Sequence, residues 1–134
     1  MILLDTNVCI AVINRAPRSV LEGLRRADPH RTLSRVSTIS VFELRFGVAK
    51  SARAVANTQA LDIFLESVVV LAFDDEDARV AGRIRAELER DGRPIGPYDY
   101  LIAGQALRHG FTLITANEKE FSRVSGLRWE NWAS

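Results

Sequence analysis

The chain begins with four apolar residues in a row, Met1 to Leu4, and this run ends at a carboxylate, Asp5. A run without polar alternation is typical of a strand covered on both faces, as in a parallel sheet flanked by helices. Such sheets bind ligands outside the carboxyl ends of their strands, where Asp5 would lie. Alternatively, Asp5, Thr6 and Asn7 only cap the next helix, since all three residue types are good N-caps.

Strands and helices alternate along the chain, which predicts an α/β protein: a three-layer α/β/α domain with a mostly parallel central sheet. Further strands are predicted at 33–37, 68–73 and 111–115, with a short edge strand near the end of the chain. Helices are predicted at 8–13, 17–27, 39–50, 52–67, 77–90 and 98–109. The helix at 39–50 is apolar nearly all round, so we expect it to be buried.

The length of 134 residues is that of one domain with a proper core, so we expect a single domain over residues 1–134. Hydrophobic residues at 47% and charged residues at 26% are typical of a soluble globular protein. The sequence has no apolar run of transmembrane length and no basic segment of the kind that begins a signal peptide. We therefore expect a cytoplasmic protein without membrane contact. The lone Cys9 is predicted to be a small buried side chain.

Two further acidic residues lie on apolar helix faces. Glu43 shares a face with Phe46, where a carboxylate is costly without a partner, and that partner is either a metal ion or an arginine. Asp99 shares a face with Ile102 in the first turn of its helix. The helix dipole alone favours an acid there by about 0.3–1 kcal/mol, but it does not explain the apolar face.

Carboxylates that converge from separate elements repel one another and raise one another's pKa, and a bound divalent cation removes this conflict. Oxygen ligands without His or Cys suit Mg²⁺ or Mn²⁺. The acidic run from Asp74 to Asp77 is a competing site, although four acids at a helix start are typical of solvated caps. His30 and His109 show no metal-ligand spacing.

The net charge of +1 conceals an asymmetry along the chain. From Arg15 to Arg53 there are nine Lys and Arg against three Asp and Glu, and from Asp62 to Asp91 there are four against nine. The basic part either offers a polyanion a surface or reflects solvated helix faces.

Four motifs in this order and spacing resemble the PIN-domain family, and within it the VapC-type toxins of VapBC toxin–antitoxin systems. They are Ile2 to Asn7, Ser40 to Gly47, Tyr98 to Ala103 and Thr115 to Phe121. The likeness covers essentially the whole chain. It implies a PIN-like fold and a Mg²⁺- or Mn²⁺-dependent endoribonuclease that hydrolyses RNA. It also implies a homodimer, held inactive in a hetero-oligomer by a small VapB-like antitoxin whose C-terminal segment occupies the site.

The family's acidic metal ligands are matched by Asp5, Glu43 and Asp99. A fourth catalytic position, often Asp in the family, is matched by Asn117. Because Asn117 has a carbonyl oxygen but no charge, the sequence leaves open whether one or two metal ions bind. Glu118 and Glu120 are the candidates that would restore the charge.

The mechanism that follows as a hypothesis is metal-assisted phosphodiester hydrolysis, with Asp99 or Glu43 accepting the proton of the attacking water. Side chains that could orient the carboxylates are Thr6, Asn7, Ser40 and Thr115. Candidates for RNA phosphate contacts are Arg15, Arg18, Arg25 and Arg26.

Two rival functions remain open at this stage. An aspartyl phosphatase also begins with a strand that ends in Asp, but it requires a second Asp where this chain has Asn7. A PIN-like module that binds RNA or protein without cutting is favoured by the uncharged Asn117. The RNA target is not indicated, because RNA recognition depends on shape and loop geometry.

Overall fold

The computed structural model describes residues 1–133. Its strands are β1 (Ile2–Leu4), β2 (Ser34–Ser37), β3 (Val69–Leu71), β4 (Thr112–Ile114) and β5 (Trp129–Glu130). Its helices are α1 (Thr6–Asn14), α2 (Arg18–Ala27), α3 (Thr38–Ala49), α4 (Ala54–Glu66), α5 (Asp75–Arg90), α6 (Pro97–His109) and α7 (Glu118–Phe121).

The five strands form one sheet in the order β3-β2-β1-β4-β5, and every neighbouring pair is parallel. β1 lies at the centre, where Leu3 pairs with Arg35 of β2 and with Leu113 of β4. The predicted α/β class with a parallel central sheet is confirmed, and the predicted edge strand near the end of the chain is β5.

Successive residues of the central strands face opposite layers of helices, which explains their unbroken apolar runs. Leu3 and Leu113 pack in one core with residues of α5, α6 and α7. Leu4 and Ile114 pack in the other core with residues of α1 to α4. Cys9 is fully buried in this second core, as predicted. Within residues 1–133, no helix is long and apolar enough to cross a membrane.

The prediction that the helix at 39–50 is buried is wrong for one of its faces. In α3, Ser40 and Leu44 are buried, but the side chains of Phe42 and Phe46 are 56% and 59% exposed. α3 packs on the second core through Leu44, with Val41 and Val48 partly buried beside it, and Phe42 and Phe46 lie on its exposed face. Apolar composition predicted the helix but not the number of its faces that are covered.

The predicted strand at 68–73 is shorter than expected, because β3 lies at the edge of the sheet and pairs with β2 alone. Val69 and Val70 are exposed there. After β3, the next helix, α5, begins two residues earlier than predicted, because Asp74 is its N-cap.

The prediction of solvated caps for the acidic run is wrong for Asp77, which is fully buried. Asp74 and Asp77 form a reciprocal capping box at the start of α5. Asp77 Oδ1 lies 3.2 Å from Arg108 Nη1 and 3.6 Å from His109 Nε2. A buried carboxylate needs such partners, so the acidic run is part of the α5–α6 packing.

Candidate active site

The site lies at the carboxyl ends of the central strands, where parallel strands bring their following residues together. Asp5 follows β1 directly and is buried. Its Oδ1 accepts a hydrogen bond from the Thr6 backbone N–H (2.8 Å), and its Oδ2 accepts one from Thr115 Oγ1 (2.8 Å), which follows β4. Asp5 is therefore the N-cap of α1 and also one of the acidic side chains at this edge of the sheet, so the two interpretations of the sequence do not exclude each other.

Glu43 reaches the same edge of the sheet from α3. Thr6 Oγ1 lies 2.8 Å from Glu43 Oε1 and 2.9 Å from Ser40 Oγ, so Thr6 links the elements that carry Asp5 and Glu43. Within residues 1–133, Glu43 forms no ion pair with an arginine or lysine. The alternative of a structural Glu43–arginine pair is thus not found in this part of the chain.

Asp99 enters the site from the first turn of α6. Burial is the largest cause that raises its pKa to about 8, followed by a hydrogen bond with the side chain of Glu120 and by the negative charges of Asp5, Glu120 and Glu43. Gly96 makes room for this pair, since a Cβ there would lie 3.0 Å from Asp99 Oδ2. Below about pH 8 Asp99 therefore holds a proton, whereas the pKa of Glu120 is lowered, first of all by its hydrogen bond with Asp99.

Glu120 is the fourth carboxylate of the site. Asn117, the N-cap of α7, donates from Nδ2 to Glu120 Oε2 (2.6 Å) and accepts from the Glu120 backbone N–H (3.4 Å). Glu118 is exposed and bonds to Asn131 instead. The sequence left Glu118 and Glu120 open, although a polar N-cap followed by Glu three residues later is the spacing of a capping box.

The charge of this group is not neutralised by close ion pairs, although the pKa of Glu120 is lowered first by its hydrogen bond with Asp99 and, as a smaller cause, by the charge of Arg123. Within residues 1–133, none of the four carboxylates forms an ion pair with Lys, Arg or His. Burial is the largest cause that raises the pKa of Asp5, and the charges of Glu43 and Glu120 raise it further, while hydrogen bonds from Thr115 and Thr6 lower it. The carboxylates thus carry an electrostatic cost that a cation would remove.

The donor chemistry of the site fits a hard divalent cation, because it consists of carboxylate oxygens without nitrogen or sulfur. Each oxygen of Asp5 accepts one hydrogen bond and keeps a second lone pair. Within residues 1–133, however, no three His, Cys, Asp or Glu side chains are arranged to hold a metal ion. A cation that binds Asp99 would displace the proton that this side chain holds below about pH 8.

Among the other predicted site residues, Thr6, Ser40 and Thr115 lie in the hydrogen-bond network of the carboxylates. Asn7 is exposed and makes no side-chain hydrogen bond within the described residues. Thr115 Oγ1 also accepts from the Asn117 backbone N–H (3.0 Å), which ties the two ends of this network together.

Of the basic residues predicted to contact RNA, Arg15 lies at the end of α1 opposite to Asp5. Arg15 is the C-cap of this helix and Asp5 its N-cap, so about 15 Å along the helix axis separates their Cα atoms. Arg18 forms a surface pair with Glu22 at 3.4 Å. Arg15 and Arg25 line a cavity of about 470 Å³ beside α4. Their role in RNA binding stays a prediction.

The chain is similar to known proteins over nearly its full length. A family model described as PIN domain matches residues 2–127 of the chain. The tRNA(fMet)-specific endonuclease VapC of Shigella flexneri is 40% identical over 131 residues, which cover 98% of this chain and 97% of that protein. Ribonuclease VapC2 of Rickettsia felis is 39% identical over 130 residues, which cover 97% and 96%.

Solved structures of VapBC complexes share the fold. The chain matches the DNA-bound VapBC of Salmonella typhimurium with a TM-score of 0.90 and 37% identity, over 98% of this chain and 97% of that one. It matches VapBC2 of Rickettsia felis, bound to a DNA fragment from its promoter, with a TM-score of 0.89 and 38% identity, over 98% and 99%.

Proposed function

The chain belongs to the PIN-domain family and is a VapC-type member of it, and from this premise we propose that it is a metal-dependent endoribonuclease, the toxin of a type II toxin–antitoxin pair. The observation that carries the proposal is that Asp5, Glu43, Asp99 and Glu120 act on one another's pKa at one edge of the sheet and form no ion pair with a basic side chain in residues 1–133. Such a group suits hydrolysis of a phosphodiester better than stability, because it destabilises the fold unless a cation is bound.

The residues that would hold Mg²⁺ or Mn²⁺ are Asp5, Glu43 and Asp99, with Glu120 as a fourth. When bound, the cation would supply an activated water and stabilise the negative charge that develops on the phosphate. Asn117 would act through Glu120: its Nδ2 donates to the Glu120 carboxylate, and its Oδ1 accepts from the Glu120 backbone N–H.

Glu43 is the better of the two predicted proton acceptors. Its Oε1 is held by Thr6, and its Oε2 has no hydrogen-bond partner within residues 1–133, so Oε2 is available to the attacking water. The side chain of Asp99, by contrast, is engaged in a hydrogen bond with the side chain of Glu120. We therefore assign the role of proton acceptor to Glu43.

The partners proposed for the chain follow from its relatives. A small VapB-like antitoxin is supported by the VapBC complexes among its structural neighbours, and we propose that its C-terminal segment occupies the carboxylate site. We further propose a homodimer that joins the antitoxin in a hetero-oligomer, and a cytoplasmic location, where RNA substrates are present. The name of the Shigella flexneri relative makes tRNA(fMet) the first substrate to test.

The proposal is tested by incubating the purified protein with tRNA(fMet) and with mixed structured RNAs in Mg²⁺, Mn²⁺ or EDTA. Cleavage products are expected with either metal and none with EDTA. The Asp5→Asn variant should lose cleavage, whereas Asp62→Asn, a change in a surface pair with Arg45, should keep it. RNA binding without metal-dependent products would instead favour the non-cleaving module.

A further inference from the structure

Beside the carboxylates lies an exposed row of rings, here called the aromatic stripe, which consists of Tyr98, Phe42 and Phe46 and ends at Lys50. The side chains of Tyr98, Phe42 and Phe46 are 44%, 56% and 59% exposed. The rings of Tyr98 and Phe42 contact edge to face, with centroids 5.9 Å apart and planes at 68°. Lys50 Nζ lies 4.9 Å from the centroid of the Phe46 ring.

The stripe starts beside the helix segments that carry Glu43 and Asp99. Phe42 directly precedes Glu43 and Tyr98 directly precedes Asp99, and the contact between the two rings brings these segments of α3 and α6 together. Phe42, Phe46 and Lys50 follow one another at intervals of four residues along α3 and its C-cap, which advance about 6 Å each along the helix axis. A chain held on the stripe would therefore run from the carboxylates toward a lysine.

Exposed aromatic side chains next to one another are costly in water, and the core does not need them, since α3 packs through Leu44 on its other side. Single-stranded RNA is recognised by stacking its unpaired bases on aromatic side chains and by placing cations at its phosphates. The stripe offers both features in line with the carboxylates, and a single strand of unstacked bases fits a row of rings one helical turn apart.

We propose that the aromatic stripe is a stacking platform for the unpaired bases of single-stranded RNA beside the scissile phosphate, with Lys50 contacting a phosphate at its far end. This inference rests on the proposed ribonuclease function and adds to it a base-binding surface outside the carboxylates. Phe42, Phe46 and Tyr98 are positioning residues: they hold bases, and the carboxylates carry the chemistry.

The test compares an aromatic with an aliphatic side chain at the same position of the stripe. In an Asp5→Asn background, the binding of a short single-stranded RNA containing 2-aminopurine is followed by fluorescence anisotropy and by quenching of the base on stacking. Phe46→Leu and Phe42→Leu should each weaken binding about 5- to 150-fold and reduce the quenching, the range expected for one base stacked on one ring. Phe46→Trp and Phe42→Trp should keep both. Val55→Ala, on α4 and 76% exposed, is the control for loss of surface apolar area and should bind as the parent does.

In the cleavage-competent protein, Phe46→Leu should raise KM by a similar factor and change kcat little, and Phe46→Trp should restore KM. If the Leu variants bind RNA with the affinity and quenching of the parent, the stripe is not a stacking platform. Light scattering distinguishes a second possible occupant, another copy of the chain. If Phe46→Leu changes neither RNA binding nor the mass of the particle, while Phe46→Ala converts a dimer to a monomer, the stripe is a dimer interface and the proposal is wrong.

The failures of the two proposals are distinguishable. Metal-dependent cleavage together with normal RNA binding by the Leu variants overturns the stripe alone. If the parent protein binds RNA but does not cleave it, and the Leu variants lose this binding, only the ribonuclease function is overturned. The absence of RNA binding by the parent overturns both.

Discussion

Replacing Asp99 with Asn should remove a pH dependence of stability that the carboxylate group imposes on the fold. The pKa of Asp99 is raised to about 8, first by burial and then by Glu120 and the neighbouring charges, whereas its ordinary value is 3.8. Between these values the native protein holds a proton that the unfolded chain has released. The associated stability is complete below about pH 4 and is lost as the pH rises through about 8. Asn at this position stays neutral at every pH and keeps a donor for Glu120.

The size of the effect follows from the pKa. A proton bound only by the native state lowers the free energy of unfolding by about 1.4 kcal/mol for each unit by which the pH rises. The largest possible loss of stability between pH 5.5 and 7.5 is therefore about 2.7 kcal/mol. Asp99 is only half-buried, and solvent screening reduces this to about 1–1.5 kcal/mol. For a chain of this length, that corresponds to a difference of about 3–6 °C in Tm. The pKa of Glu120 is lowered by its bond to Asp99, so Glu120 titrates below this pH window.

The assay is urea and thermal unfolding at pH 5.5 and 7.5 in EDTA, with the parent protein, Asp99→Asn and the surface control Asp62→Asn. The parent and Asp62→Asn should lose stability over this interval by about 1–1.5 kcal/mol more than Asp99→Asn does. If the parent and Asp99→Asn change in parallel, Asp99 does not hold a proton at neutral pH and the electrostatic account of the site is wrong. Added Mg²⁺ should stabilise the parent more at pH 7.5 than at pH 5.5, because it competes with the proton.

Two further predictions concern the scaffold. Gly104→Ala should lower the free energy of unfolding by about 1–2 kcal/mol, because its Cβ would lie 2.7 Å from the backbone of Ala81 and force α5 and α6 apart. A Cβ at Gly82 would meet open space, so Gly82→Ala should leave the free energy of unfolding unchanged or raise it by up to about 1 kcal/mol. Both variants are measured by urea unfolding. Equal changes in the two would mean that helix propensity alone, and not the contact with Ala81, sets the effect. Asp28→Asn should cost about 2–3 kcal/mol in the same assay at pH 7, because the buried carboxylate accepts four hydrogen bonds from 32–34. Burial acts to raise the pKa of Asp28, but these bonds lower it overall, so the loss should shrink as the pH falls below about 4, and a loss that does not change with pH would contradict the charged state of Asp28.

The arrangement of the sheet and three of the four carboxylates could be predicted from the sequence, because the chain order and strand direction already determine them. An apolar run that ends in Asp5 delivers the acid to the carboxyl edge of a parallel sheet, whatever the details of packing. Glu43 and Asp99 each lie on an apolar helix face, which also indicates an inward direction. These inferences depend on periodicity over many residues, which is the most reliable kind of pattern.

The parts that could not be predicted depend on contacts between elements. Phe42 and Phe46 are as apolar as Leu44, and only the packing of α3 shows which side is covered. Asp77 looks like any acid at a helix start until Arg108 and His109 of α6 are seen beside it. Single-sequence patterns do not contain the positions of such partners.

Glu120 shows the same limit within the active site. α7 is only four residues long, so its sequence has no periodicity that would separate the inward Glu120 from the exposed Glu118. The decision comes from Asn117, which caps the helix and turns Glu120 toward Asp99. Asn117 is thus compatible with a fully acidic site, because the charge that it lacks is supplied three residues later.

The most direct test of the central claim, that four carboxylates including Glu120 form one metal-dependent nuclease site, is the rate of RNA cleavage in Mn²⁺ for the matched variants Glu120→Gln and Glu118→Gln. Both changes remove one negative charge from the same short helix, so they differ only in whether the charge faces the site. Glu120→Gln should cleave RNA at least about 10- to 100-fold more slowly than the parent, while Glu118→Gln should stay within about threefold of it. Equal rates for the two variants, or cleavage that persists in EDTA, would contradict a site that includes Glu120 and depends on a metal.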